Sequence, residues 1–228
     1  MRIIVVGADG VMGGCLAGMI SRRGDLSLAA AVDPRGRDMY GSVNEYGGPA
    51  DCLIDFSCHT STQEVCDYVS KRRIPAVIAC TGHTAAERAE IVSASEFAPI
   101  FFSSNLSRGA CLVERLTREV SEFFPDADVE IVETHRPGKL DTPSGTAISL
   151  SAAVADARGK EVRGIRSLRV NGTVGRHEVV FSSRGETLTV CHEVHDRTLF
   201  AEGAIAAARF IIGRKAGLYT MRDLVYED

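Results

Sequence analysis

The chain has 228 residues, a quarter of them charged, and a formal net charge of −4. That length gives one large domain or two small ones with ample core. The slight negative balance excludes a general nucleic-acid binder, which would carry a basic stripe. No apolar run reaches the length of a membrane span, and the first, residues 3–6, is too short for a secretory leader, so a soluble cytoplasmic protein is expected.

Residues 3–6 read as a wholly apolar strand, the kind found in a parallel sheet covered on both faces. Gly7, Gly10 and Gly13 follow at spacings of three. Gly7 permits a tight turn, Gly10 lets backbone approach a pyrophosphate, and Gly13 lets the next helix, residues 15–21, pack closely on the strand. A glycine triplet alone is weak, but here it sits between a strand and a helix. A second strand, residues 28–32, ends in Asp33, where a ribose-binding acid belongs. Dinucleotide binding is the favoured reading over a glycine turn with no ligand. Asp33 accepts from a free ribose 2′-hydroxyl and favours NAD, whereas Arg35 can pair with the 2′-phosphate of NADP. The pair predicts NADH with some NADPH use.

Strand-like runs at 53–56, 75–80 and 100–102 alternate with helices at 60–71 and 84–94, the latter opening on a Thr84–Glu87 capping box. This alternation implies a parallel sheet with right-handed crossovers. One crossover is abbreviated, since residues 41–49 lack helical periodicity. The loops Cys80-Thr81-Gly82 and Ser103-Ser104-Asn105-Leu106 fall at the strand ends where such sheets bind ligands, although ordinary turn chemistry explains them equally well.

After Asn105 the pattern changes. A helix at 110–123 leads to a strand at 129–133, in which β-branched residues alternate with carboxylates. A helix at 145–157 follows, then strand-like runs at 165–170, 177–181 and 187–190, so an antiparallel or mixed sheet is expected. Such a sheet has edges and a face to cover, and another subunit is a common cover. A helix at 198–214 returns the chain to the first domain. The reading is therefore α/β: a Rossmann-like dinucleotide domain (1–106 and 197–228) with an inserted α+β domain (107–196) for substrate and oligomerisation.

The loop from His135 to Thr146 holds a base, two cations and a helix start. Pro143 suits the first helical turn, with Thr142 or Ser144 as its cap. The N–H groups of Ser144, Gly145 and Thr146 can then hold an anion, with charge added by Arg136 and Lys139. That suits a small carboxylate or phosphate, with His135 and Lys139 available for proton transfer. On spacing alone a solvated basic loop with an ordinary cap remains the alternative.

Seven cysteines without a C-x-x-C pair read as free thiols in a reducing cytoplasm. Cys191, His192 and His195 hint at zinc, but a strand sends Cys191 and His192 to opposite faces and no fourth ligand has the usual spacing, so no metal is expected.

Nearly end to end, the chain resembles the 4-hydroxy-tetrahydrodipicolinate reductase family, the dihydrodipicolinate reductases of bacterial lysine and diaminopimelate synthesis. The resemblance rests on residues 7–13, 54–57, 81–82, 104–107, 130–135, 197–204 and 217–224. Its most specific part is Lys139 to Ala147, which fits K-x-D-x-P-S-G-T-A. The resemblance implies that His135 gives or takes a proton, that Lys139 is the second proton donor, and that Gly145 and Thr146 clamp a substrate carboxylate. It implies cofactor contacts from Gly7, Ala8, Asp9, Gly10, Val11, Met12 and Asp33, from Ala79, Cys80 and Thr81, and from Ser103, Ser104, Asn105 and Leu106. It also implies hydride transfer from NADH or NADPH to a cyclic unsaturated dicarboxylate, in a homotetramer built through the inserted sheet.

Two departures stand out. Arg136 replaces a second His usual in the family, and the chain is short in the 34–49 region and in the inserted domain. Another NAD(P)-dependent reductase of a small dicarboxylate, or a non-catalytic dinucleotide sensor, are the competing readings; His135 with Lys139 argues against the sensor.

Overall fold

The computed structural model describes residues 1–226, and the chain divides into two compact units. The first runs from Met1 to Leu106 and resumes at Thr198; the second is Ser107–Arg197.

In the first unit six parallel strands form one sheet. They are β1 (Arg2–Val6), β2 (Ser27–Val32), β3 (Cys52–Asp55), β4 (Ala76–Ile78), β5 (Pro99–Phe102) and β10 (Gly217–Tyr219), in the order β10-β5-β4-β3-β1-β2. Ile3, Ile4 and Val5 are fully buried, as a strand covered on both faces requires. Helices α1 (Val11–Ser21), α2 (Thr62–Arg72), α3 (Ala85–Ala94), α6 (Thr198–Ile211) and α7 (Met221–Val225) complete the unit. The Thr84–Glu87 capping box is present at the start of α3. The abbreviated crossover is also present, because only a 3₁₀ turn at Val43–Glu45 lies between β2 and β3.

Helix α1 starts at Val11, four residues earlier than its side chains suggested. Glycine 10 caps it in an extended conformation, and the apolar face opens only at Gly13 and Leu16. Strand β10 and helix α7 have too few residues to show a period. Strand β10 is fixed by pairing with β5, Leu218 lying beside Ile100. Order reverses at β1, which lies between β2 and β3, so the carboxyl ends of β1 and β3 form the switch point where open sheets bind ligands.

The second unit contains α4 (Arg108–Phe123), β6 (Asp128–His135), α5 (Gly145–Arg158), β7 (Gly164–Arg169), β8 (Gly175–Ser182) and β9 (Thr187–Val194). Its sheet has the order β7-β6-β8-β9 and is mixed: α5 carries the chain from β6 to a parallel β7, while β8 and β9 run antiparallel. Val129, Ile131, Val179 and Phe181 pack with Val113, Ala147, Leu150 and Val154 on one face. The other face carries Val132, Val180 and the exposed Leu168, with Glu130, Glu178 and Arg176 among them.

Strand β6 corrects one reading. Its carboxylates do not share a face: burial alternates strictly from Asp128, so Glu130 lies on the open side and Glu133 on the core side, with Val132 outward. Two adjacent β-branched residues, Ile131 and Val132, break the apparent alternation. Helix α5 corrects another, since Ser144 is the cap and Pro143 precedes it instead of entering the first turn.

Candidate active site

At the carboxyl ends of β1, β2 and β3 lies a cavity of about 480 Å³, bordered by Gly7, Gly10, Asp33, Arg35, Ser57 and Cys58. Gly7 has φ +76°, and a Cβ there would lie 2.6 Å from Ser57 N. A Cβ on Gly13 would lie 2.0 Å from the Gly7 carbonyl, so only glycine lets α1 start against this turn. Asp33 is buried at the end of β2, and its carboxylate accepts from Asp9 N at 3.3 Å, Arg35 N at 3.0 Å and Arg35 Nε at 3.2 Å. The Arg35 side chain beside it holds its pKa below the usual carboxylate range. Asp33 and Arg35 therefore act on this cavity as a pair.

A second cavity of about 290 Å³ in the same unit is bordered by Met12, Ala79, Cys80, Thr81, Ser104 and Leu106, with Phe200 of α6. Of the other residues expected at the cofactor, Ala8 is buried, Val11 and Asp9 are exposed, and Ser103 Oγ donates to the Asn105 carbonyl at 2.7 Å. A glycine turn, a buried acid and two clefts at the strand ends fit a dinucleotide.

Sequence reasoning missed Ser57 and the residue beneath it. Asp55 is fully buried at the end of β3; it accepts from Ser57 N at 2.8 Å and Ser57 Oγ at 2.5 Å, and Cys80 Sγ lies 3.3 Å from its other oxygen. Burial pushes its pKa up, against those bonds. It ties Ser57, which borders both cavities, to Cys80. The available signal was an acid at the carboxyl end of an otherwise apolar strand.

In the second unit His135 ends β6 on its buried face, and His177 on β8 stands directly opposite Glu133. The His135 Nδ1 meets the Glu133 carboxylate, and the two imidazoles lie edge to face at 5.0 Å. Burial pulls His135 below the ordinary imidazole range although Glu133 opposes this, so the ring is neutral at neutral pH. His177 Nε2 lies 2.9 Å from Ser144 Oγ, which accepts the Ala147 N–H at 3.2 Å and so caps α5.

Lys139 Nζ pairs with Asp141 at 2.9 Å. Burial would raise Asp141, but Lys139 and the Gly145 N–H hold it below the usual carboxylate range. The chain's own carboxylate thus stands where a ligand's was expected, between Lys139 and the start of α5. A Cβ on Gly145 would meet nothing within 4 Å, and Thr146 follows in the first turn. Arg136 is exposed, its Nη1 folded over Gly138.

Glu133, His135 and His177 offer donor atoms within 4.8 Å of one another, as a metal requires. The Arg169 guanidinium, 3.0 Å from Glu133, already neutralises that carboxylate and repels a dication, which favours proton chemistry. Cys191 is exposed, whereas His192 lies on the other face of β9, 3.3 Å from Ser107 Oγ. None of the seven cysteines forms a disulfide, and no helix among the described residues is long and apolar enough to cross a membrane.

The parallel sheet with its glycine turn defines a dinucleotide-binding protein of the Rossmann-like class, joined to a unit built on a mixed sheet. Residues 1–106 match the family described as dihydrodipicolinate reductase, N-terminus, and residues 109–225 match dihydrodipicolinate reductase, C-terminus. The chain belongs to the dihydrodipicolinate reductase family. It is 35% identical to the 4-hydroxy-tetrahydrodipicolinate reductase of Caldanaerobacter subterraneus subsp. tengcongensis, over 99% of this chain and 98% of that one. The same enzyme of Brachyspira hyodysenteriae is 34% identical over 99% and 100%. In fold it is similar to a solved dipicolinate-bound dihydrodipicolinate reductase from Paenisporosarcina sp. TG-14, with TM-score 0.77, 20% identity, and 96% and 97% of the two chains covered.

Proposed function

We infer that this chain is an NAD(P)H-dependent oxidoreductase that reduces 4-hydroxy-tetrahydrodipicolinate to tetrahydrodipicolinate in lysine and diaminopimelate synthesis. The observation that carries this is its family membership across both units, joined to a neutral His135 and a Lys139 in one loop. The reaction replaces a ring hydroxyl by hydrogen: water leaves, and one hydride and one proton enter. When bound, the reduced nicotinamide supplies the hydride.

In this reading Gly7, Gly10 and Ser57 receive the pyrophosphate side of the cofactor, and Asp33 with Arg35 receives the adenosine ribose. Thr81, Ser104 and Met12 border the space for the nicotinamide. The substrate's carboxylates displace Asp141 from Lys139 and from the Gly145 N–H, with Thr146 and Arg136 adding donors. Held in this way, the ring loses much of the entropic barrier to reaction. Lys139, or His135 once its Nε2 has taken up a proton, supplies the single proton that neutralises charge developing on the conjugated imine. Arg136, where the family resemblance implies a second His, gives a permanent charge in place of a titrating one.

The proposal includes a cytoplasmic homotetramer associating through the open face of the mixed sheet, where Val132, Val180 and Leu168 await cover. The test of function is a coupled assay in which the preceding synthase makes substrate and oxidation of NADH or NADPH is followed. Turnover dependent on the synthase supports the reading. Cofactor binding without turnover would favour a sensor instead.

A further inference from the structure

The core face of β6 begins with Val129 and Ile131 and ends with Glu133 and His135, so the strand delivers a carboxylate into a position built for an aliphatic side chain. Glu133 is fully buried. A buried charge persists only when paired and hydrogen-bonded, and three side chains on β6 and β7 supply the partners. His135 Nδ1 approaches one oxygen, and Arg169 Nη1 donates to the other at 3.0 Å. Ser167, beside Glu133 in the parallel register of β7 and β6, adds a hydroxyl bond. Burial works to raise this carboxyl; the Ser167, Arg169 and His135 bonds outweigh it and hold it below the usual range.

Arg169 has a second set of contacts. Its Nη2 donates to the Asp141 carbonyl at 2.8 Å and to Thr142 Oγ1 at 2.7 Å. A backbone bond ties the ends of β6 and β7 beside it, since His135 O accepts from Val170 N at 2.8 Å. One guanidinium therefore joins the carboxylate behind His135 to the segment that leads into α5.

We propose that Glu133 and Arg169 are positioning residues for the reaction: Glu133 fixes the Nδ1–H tautomer of His135, and Arg169 fastens Glu133 and the 141–142 segment to one another. This rests on His135 being the group that takes or gives the proton. An ionised carboxylate can only accept, so Nδ1 carries the hydrogen and Nε2, bordered by Gly175, is left with its lone pair toward the reaction. When Nε2 gains a proton, the imidazolium finds a carboxylate already in place. The charged or titratable groups facing His135 are Glu133 on β6, Arg169 on β7, His177 on β8 and Lys139 in the loop, with His192 on β9 behind His177. Of these only Glu133 favours the imidazolium.

The test uses the full-length protein with wild-type turnover established first, so that failure of the functional reading shows separately as an inactive wild type. Glu133→Gln should lower kcat by about 10-fold or more with cofactor affinity unchanged, and should move the His135 inflection of the kcat/KM profile to lower pH. Glu133→Asp should recover part of both. Arg169→Gln should lower kcat and also raise KM, because the loop loses its anchor. A wild-type pH profile and kcat in Glu133→Gln would overturn the proposal. Nitrogen-15 imidazole shifts of the wild-type protein, with His135 assigned by its loss in His135→Gln, give a readout that needs no positioning variant to fold. An Nδ1–H tautomer supports the proposal, and an Nε2–H tautomer overturns it.

Discussion

Acid should destabilise the second unit through His177. This ring is buried, and its pKa is pushed from 6.5 down to about 4, first by burial and next by the neighbouring His135. The sign follows from proton binding. Between those two values the unfolded chain holds more protons than the folded one, so stability is complete above pH 6.5 and falls as the pH drops toward 4. At 1.36 kcal/mol per unit the whole effect is about 3 kcal/mol, of which about 2 kcal/mol is lost by pH 5. The carboxylates Glu133 and Asp141, both held low, contribute only below their unfolded values, so a window from pH 7.5 to 5 excludes them. His135 and His192, also lowered by burial, titrate there in wild type and variant alike, and the difference between the two proteins isolates His177. His177→Gln keeps a hydrogen-bonding partner for Ser144 but cannot titrate. Urea unfolding of both proteins, with the transition of residues 107–197 read by hydrogen exchange of their peptides, should show wild type losing about 2 kcal/mol more than the variant across that window. Parallel curves would refute the burial argument for this residue.

Gly13→Ala places a methyl on the Gly7 carbonyl, so cofactor affinity should fall at least about 10-fold and the first unit should melt earlier, measured by titration calorimetry and thermal scans. Asp33→Ala should weaken NADH more than NADPH, since it removes the hydroxyl acceptor and frees Arg35; unchanged NADH binding beside tighter NADPH binding in wild type would contradict the role given to Asp33. Arg136→Ala should raise KM with a smaller change in kcat, whereas Arg136→His should keep most activity, as steady-state kinetics would show.

The sheet of the first unit was legible because its central strands are buried on both faces, which leaves an unbroken apolar signal at 3–6, a run interrupted only by Asp55 at 53–56, and punctuation at Gly7 and Asp33. The capping box at Thr84 was legible because it is local. Strand β10 was not, since three residues paired only through Leu218 and its neighbours carry no period of their own. The parallel placing of β7 beside β6 depends on α5 crossing over the sheet, which Gly-containing turns downstream do not reveal. Within the loop, residue types pointed to His135 and Lys139 as reactive groups. The partners of those groups were hidden for three different reasons. Glu133 looked like half of a solvent-facing alternation, Arg169 and His177 reach the loop only through strand register, and Asp141 became visible as Lys139's partner only once the loop had a shape.

The most direct measurement of the central claim is the turnover number of Lys139→Ala and His135→Ala beside wild type, with cofactor dissociation constants taken on the same samples. The account predicts losses of about 10²–10⁴-fold in kcat for each, with NADH affinity nearly intact, because the residues that border the cofactor cavities all lie in the first unit. Near-normal turnover in both variants would contradict it and remove this loop as the catalytic site.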